Sequence, residues 1–348
     1  VNDGGTKSGN GRISRVDRGS VQVLLPADGT EPGTLDPRAE PVELTVPTDR
    51  AGTLPAVVGD PVHPAVGDRV VIDGDRVFVA PRTSELSRDG SDRTSLEQVI
   101  AANVDVVVIV EHLEPTPSLG RLERMLTIAW RSGAIPLVVL TKSDLVSDTE
   151  HWVGEAEAVA PGVGVVAVSA STGAGLDDLD TALAGAQTLV LIGPSGAGKS
   201  TLVNALSGSD VMITGAVRGD GRGMHTTTHR QLVPLPGGRL LIDTPGLRSV
   251  GIVATEEAVA ATFEDIEALV ALCRFNDCAH EQEPGCAVVA ALDAGELSER
   301  RFTSWRKLQR EARRQAARAD QRVAAEQRRQ WRTRERSSRE AARQRARR

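Results

Sequence analysis

The pattern of apolar and polar positions changes character twice along this 348-residue chain. Residues 1 to about 8 read as a lead without regular structure. Between Gly11 and Val79, short strand-like runs at 12–16, 20–25, 42–46, 68–72 and 76–79 are separated by turns rich in Gly, Pro and Asp. Strands this short at this spacing predict a small β-barrel. Pro26 to Pro41 reads as a long loop, and Pro81 to Leu96 as a polar linker. From Asn103 onward the texture becomes β/α alternation. Valine-rich runs at 105–110, 136–140 and 164–168, and the one entering Val190, are continuous rather than alternating. Such strands are covered on both faces, which predicts a mostly parallel sheet with helices on each side. Helical spacing is expected at 119–130, 149–159, 176–183 and 199–206, and two more strands at 231–235 and 239–242. Beyond Ser298 helix formers run to Arg348 without a glycine or proline.

Charge divides the chain further. Residues 300–348 hold 19 Lys/Arg against 5 Asp/Glu, net +14, while the remainder is −20. An acidic body with a basic arm points to a polyanionic partner. No apolar run approaches the ~18 residues that read as a membrane span, and no secretory pattern opens the chain. The sequence starts at Val1 rather than methionine, so residues are expected to precede it. Three cysteines lie together between Cys273 and Cys286. That odd number beside a histidine argues for metal ligation in a reducing cytoplasm rather than for disulfides.

The most specific stretch is Val190 to Thr201. Its apolar run ends at Gly193, and Gly193-Pro194-Ser195-Gly196-Ala197-Gly198-Lys199-Ser200 fits the phosphate-loop pattern. The glycines let backbone N–H groups close on phosphate oxygens, Lys199 supplies a charge to the β/γ-phosphates, and Ser200 a hydroxyl to Mg²⁺. The helix that starts at Lys199 adds its positive dipole end, with Thr201 in its first turn. Thr141-Lys142-Ser143-Asp144 closes an earlier strand. An aspartate there accepts both N1–H and the 2-amino group of guanine, and the Lys142 stem can lie along the base. Ser169-Ala170 ends the next strand, with the Ala170 N–H in reach of guanine O6. Asp243-Thr244-Pro245-Gly246 places a carboxylate near Mg²⁺ and a glycine amide near the γ-phosphate. One hydroxyl of Thr226, Thr227 and Thr228, with Thr227 chosen, is expected to complete the Mg²⁺ shell of Ser200 and Asp243. These motifs together specify GTP and GDP. Their order is permuted, because the base-reading motifs precede the phosphate loop.

Cys273-x4-Cys278-x-His280-x5-Cys286 offers three thiolates and an imidazole within 14 residues. That donor set suits one closed, structural Zn²⁺. Thr262 to Leu292 is expected to have little core of its own, so the metal would fold it.

With these residues in hand, the chain resembles the circularly permuted, ribosome small-subunit-dependent GTPases of the RsgA/YjeQ type over about residues 11–311. The resemblance rests on Pro81-Arg82-Thr83-Ser84, Ala101-Ala102-Asn103-Val104-Asp105, Thr141 to Asp144, Gly193 to Ser200, His225 to Thr228, Asp243 to Gly246 and the cysteine cluster. It implies an OB-type barrel at 9–81, a linker at 82–98 and a permuted GTPase domain at 99–252. A zinc domain at 253–310 and an Arg-rich helical or disordered tail at 311–348 follow. It also implies GTP hydrolysis stimulated by the 30S subunit during late maturation of that particle. Thr141 stands where family members often carry asparagine.

Conventional GTPases place a water-orienting glutamine after Asp-x-x-Gly; Leu247 occupies that place here. His225, in the glycine-rich segment 219–225, is the candidate substitute, a role to which the resemblance also points. A packing or RNA-contact role for His225 stands beside it. The barrel region carries Phe78 as its sole aromatic and is net acidic, so it lacks a base-stacking platform, although Lys7, Arg12, Arg15 and Arg18 can touch phosphate. RNA contact and a purely structural role both stand for it. The basic arm reads either as a helix laid on 16S rRNA phosphates or as a solvated tail. The expected protein is a cytoplasmic, monomeric, zinc-containing GTPase of the 30S subunit. A GTPase serving the large subunit or an RNA-modification complex, and a non-catalytic RNA-binding factor with structural nucleotide, are the alternatives.

Overall fold

The computed structural model describes residues 8–25, 42–88, 98–208, 231–243 and 254–318. Five N-terminal strands, β1 (Ser8–Asp17), β2 (Ser20–Leu25), β3 (Val42–Pro47), β4 (Arg69–Asp73) and β5 (Arg76–Val79), pair antiparallel in the order β3-β2-β1-β4-β5. Alternate residues of these strands turn inward, so Ile13, Val21, Val23, Val70, Ile72, Val77 and Val79 make one core. An irregularity between Ile13 and Arg15 lets β1 change partner along its length. Its first half pairs with β4, and Arg15 pairs with Gln231 of a later sheet.

A two-stranded ribbon follows, β6 (Glu85–Arg88) against β7 (Gln98–Ala102). The expectation of a linker from 81 to 96 therefore fails at 85–88. The polar composition hides Leu86, which is 1% exposed opposite Ala101, and Arg88 donates to the Gln98 side chain across the ribbon.

The second sheet holds β8 (Val106–His112), β9 (Ile135–Thr141), β10 (Gly164–Val168), β11 (Thr188–Ile192), β12 (Gln231–Pro234) and β13 (Leu240–Asp243). Its order is β10-β9-β8-β11-β13-β12, parallel except for β12 at the edge. All seven residues of β8 are buried. Val107 and Ile109 face α1 (Leu119–Ser132) and α2 (Thr149–Val159). Val106, Val108 and Val110 face α3 (Leu176–Ala182) and α4 (Lys199–Ser207) on the other side. Helix α1 is well delimited. Ser118 accepts from the Arg121 N–H at its start, a cap worth ~1 kcal/mol, and Gly133 ends it in the left-handed region at φ 79°.

Between the two β units, the segments at 81–84 and 101–105 form a joint. Arg82 grips the fully buried Asp68 through Nε (2.8 Å) and Nη2 (3.0 Å). Asn103 is 0% exposed and left-handed at φ 53°. It accepts from Thr83 N and donates to Gly67 O. Gly67 has no room for a side chain, since a Cβ would fall 2.2 Å from Ala102 O.

The C-terminal unit comprises α5 (Glu256–Thr262), α6 (Glu264–Val270), α7 (Ala287–Asp293) and a helix over 299–318. Phe263, Ile266, Val288, Phe302, Trp305, Leu308 and Ala312 build a core there. The expected lack of core is corrected in part: the segment 262–292 holds five of the core's twelve buried residues, and the helix of 299–318 supplies four more. A boundary at residue 310 is corrected too, because Ala312 is 2% exposed and Glu311 and Gln315 bond to other elements. This unit sits on α1, where the buried Glu123 carboxylate accepts from Arg300 and Arg301, and Arg124 donates twice to Glu311. No helix among the described residues is long and apolar enough to cross a membrane.

Candidate active site and metal centre

In a doubly wound sheet, ligands bind outside the carboxyl ends of the strands where neighbouring connections leave on opposite faces. Here β8 leaves toward α1 on one face, and adjacent β11 leaves toward α4 on the other. The crevice between them is the switch point. The carboxyl ends of β8, β9, β10, β11 and β13 share that edge because those strands are parallel.

The loop after β11 is the phosphate-loop stretch. Gly193 adopts φ 155°, and a Cβ there would lie 2.2 Å from Val110 O, so the loop starts flush against β8. Gly196 and Gly198 are left-handed at 80° and 82°. Gly198 is also the N-cap of α4, whose first N–H groups face the crevice with the positive end of the helix. Ser195, Gly196 and Thr201 are exposed, Pro194 and Ser200 half-buried, and Ala197 buried. Lys199 Nζ donates to Gly193 O (2.9 Å) and Pro194 O (2.7 Å). The ammonium thus sits on the inner rim of the loop, a cation surrounded by carbonyls that an anion can draw outward. A glycine cradle closed by a lysine is a donor set that fits a polyphosphate.

The loop after β9 meets this one directly. Thr141, 4% exposed, donates its hydroxyl to Ala197 O at 2.7 Å, with Glu111 O at 3.3 Å. The hydroxyl of Thr141, one of the residues expected at the nucleotide, ties the two loops together. Lys142 is left-handed at φ 62° and donates from Nζ to Glu114 O at 2.9 Å. Ser143 and Asp144 begin a short 3₁₀ turn, Ser143–Leu145. The Asp144 carboxyl is held below the usual carboxylate range, first by the Ser169 hydroxyl and then by its own N–H and Ser171 Oγ, which lies at 3.2 Å. A fully charged acceptor is what guanine reading needs. Ser169, 0% exposed, directly follows β10, and Ala170 lies in sequence between it and Ser171, the two serines that meet this carboxylate.

Asp243 ends β13, its backbone paired with Gln231. Its side chain lies outside the described residues, as do His225, Thr226, Thr227, Thr228, Gly246 and Leu247.

Two strand-end loops from halves of the chain in swapped order thus close on one crevice, and known proteins share the arrangement. The sequence pattern of the RsgA GTPase family matches residues 79–253, half of the chain. The small ribosomal subunit biogenesis GTPase RsgA of Streptomyces avermitilis is 48% identical over 331 residues, covering 92% of this chain and 84% of that one. This chain belongs to the RsgA GTPase family. RsgA 1 of Listeria monocytogenes is 42% identical over 279 residues, 79% of this chain and 80% of its own. The crystal structure of YjeQ from Thermotoga maritima superposes with a TM-score of 0.62 at 26% identity, covering 88% of this chain and 99% of that one. YloQ, described as a circularly permuted GTPase, gives 0.60 at 26%, with 89% and 96% covered. As an RsgA-family GTPase the chain hydrolyses GTP.

The RsgA-family chain also carries its cysteine cluster intact. The ligand atoms of Cys273, Cys278, His280 and Cys286 all lie within 4.8 Å of one another. Cys273 Sγ is 3.9 Å from Cys286 Sγ, and His280 Nδ1 is 3.6 and 3.5 Å from those sulfurs. A tetrahedron with Zn–S of about 2.3 Å and Zn–N of about 2.0 Å has edges of about 3.8 and 3.5 Å, so the spacing fits that ion. Burial lowers the His280 pKa, favouring the neutral, ligating ring. Glu283 folds the loop between the ligands by accepting from the Glu281, Ala279 and Gln282 N–H groups, which hold its carboxyl down at about 2.

Sequence reasoning missed Glu111 and Arg121. Glu111 is 0% exposed at the end of β8 and accepts from Arg121 Nε (2.8 Å) and Nη2. The signal was an acidic residue directly after five apolar ones, which reads as a strand end but is the strand's sixth buried position.

Proposed function

We propose that this GTPase acts on the small ribosomal subunit during its late biogenesis, with its nucleotide state setting docking and release. The observation that carries the reading is the Thr141–Ala197 contact, which joins a guanine-type loop and a phosphate loop in one pocket. The relatives named as small ribosomal subunit biogenesis GTPases support the assignment of partner. In this reading Asp144 and Lys142 hold guanine with the Ala170 N–H. Gly193 to Ser200, with Thr201 and Gly246, hold the phosphates. Ser200, Thr227 and Asp243 hold Mg²⁺, which when bound neutralises charge on the β- and γ-phosphates. His225 orients the attacking water once RNA orders its segment. Cys273, Cys278, His280 and Cys286 hold one structural Zn²⁺, a closed crosslink with no open position. The strand order β3-β2-β1-β4-β5 supports an OB-type barrel over about 9–81, followed by the permuted GTPase domain to about 252 and the zinc domain from 253. The Arg-rich end from 299 supports contact with 16S rRNA. The protein works as a cytoplasmic monomer.

A GTPase assay with added 30S, 50S or naked RNA tests this. Stimulation by 30S alone is expected; stimulation by 50S alone, or none, would overturn the partner. His225→Ala should keep GTP affinity and lose the stimulated turnover. Unchanged turnover would remove the histidine from catalysis.

A further inference from the structure

The short segment 110–114 touches both nucleotide loops. Val110 O abuts Gly193 at the start of the phosphate loop. Glu111 O accepts from Thr141 Oγ1, Leu113 N donates to Thr141 O at 2.9 Å, and Glu114 O accepts from Lys142 Nζ. Its position therefore decides where both the base-reading and the phosphate-binding backbones lie. The segment is tied down through Glu111, whose side chain is 1% exposed and receives both prongs of the Arg121 fork. Arg121 stands in the first turn of α1, and that helix is itself fixed by the Ser118 cap and by Glu123 and Arg124 under the C-terminal unit. A buried ion pair is a poor source of net stability, because desolvating both groups cancels most of the attraction. What a bidentate pair does supply is a defined position.

We propose that Glu111 and Arg121 are positioning residues for nucleotide binding, setting the separation of the Thr141–Asp144 and Gly193–Ser200 loops to the length of a guanine nucleotide. The inference rests on the pocket assignment above. The base and the β-phosphate, which the two loops hold, are common to GDP and GTP, so loosening the pair weakens the binding of both. Release of bound nucleotide is the step that speeds up. Turnover at saturating GTP is left unaltered, since neither side chain meets the reacting atoms.

The test uses the full chain and a fluorescent guanine nucleotide, with release followed by stopped flow. Arg121→Met leaves the buried Glu111 carboxylate without its partner, which is costly, whereas after Glu111→Gln the Arg121 side chain, 32% exposed, can recover water. The double variant removes both charges and guards against simple unfolding. The expected result is release of GDP and of a GTP analogue at least tenfold faster in the double variant. KM should rise by a similar factor, kcat should hold, and the affinities for GDP and GTP should both fall. A merely structural role would reduce the fraction of protein able to bind while leaving the release rate of the bound fraction alone, and that outcome overturns the proposal. Wild-type release rates in the double variant overturn it as well. If the wild type itself binds no guanine nucleotide, the pocket assignment falls with it; binding by wild type with unaltered variants removes the positioning role alone.

Discussion

Glu123→Ala offers a measurable test of how the C-terminal unit is held. The Glu123 side chain is 0% exposed on α1 and accepts three hydrogen bonds at 3.0 Å, two from Arg300 and one from Arg301. Truncation leaves the Arg301 guanidinium, 6% exposed, with Asp265 and the carbonyls of Val159 and Thr262 as partners. Removing one partner of a buried pair costs about 3–5 kcal/mol. Arg300 is 42% exposed and recovers water, and Arg301 keeps its bond to Asp265, so the lower end applies, about 3 kcal/mol. The loss concerns docking of the unit more than its internal core. Hydrogen exchange in α5, α6 and 299–315 should therefore accelerate about a hundredfold, since each 1.4 kcal/mol is a factor of ten. Exchange in β8 and β9 should not change. A Glu123→Leu/Arg301→Met pair should restore most of the protection, because replacing both charges by apolar groups is often neutral. Protection unaltered in Glu123→Ala, or a double variant as exposed as the single, would refute the idea that this buried pair fastens the unit to α1.

Three further outcomes are expected. Thr141→Val removes the donor to Ala197 O, leaving a buried carbonyl short of a partner at about 1–3 kcal/mol of folding stability; the unfolding temperature of the nucleotide-free protein should drop, and GDP affinity measured by titration should fall as the two loops lose their tie. Gly193→Ala forces a Cβ to 2.2 Å from Val110 O and takes alanine to φ 155°; nucleotide binding should disappear in a filter or fluorescence assay while far-UV circular dichroism is retained. Cys286→Ser should lower the bound zinc measured by elemental analysis from one per chain toward zero. It should also make 273–286 sensitive to protease, with the Phe263–Trp305 core persisting longer than a metal-only fold would allow.

The continuous apolar runs were legible because a strand buried on both faces has no polar positions to confuse it, and β8, β9 and β11 lie where Val and Leu dominate. The loops at their ends were legible through glycine and aspartate, whose conformational and hydrogen-bonding demands are local. Strand β6 was not, since Leu86 is its lone large apolar side chain amid Ser, Glu and Arg. Helix 299–318 misled for a related reason: its arginines dominate the composition, whereas Phe302, Trp305, Leu308 and Ala312 at spacings of three and four mark the face that packs. Arg82 with Asp68, and Glu111 with Arg121, are partners only after the chain has folded. No periodicity announces such pairs.

The pairing of Arg15 with Gln231 makes the two β units one hydrogen-bonded surface, in which β1 lies along the outer margin of β12. Strand β12 has β13 on its other flank, and among the described residues only β1 covers the remaining side. A GTPase body cut free before residue 81 would carry that flank bare, and an unpaired margin of this kind invites self-association. The N-terminal strands are in this sense a lid on a sticky seam as well as a module in their own right.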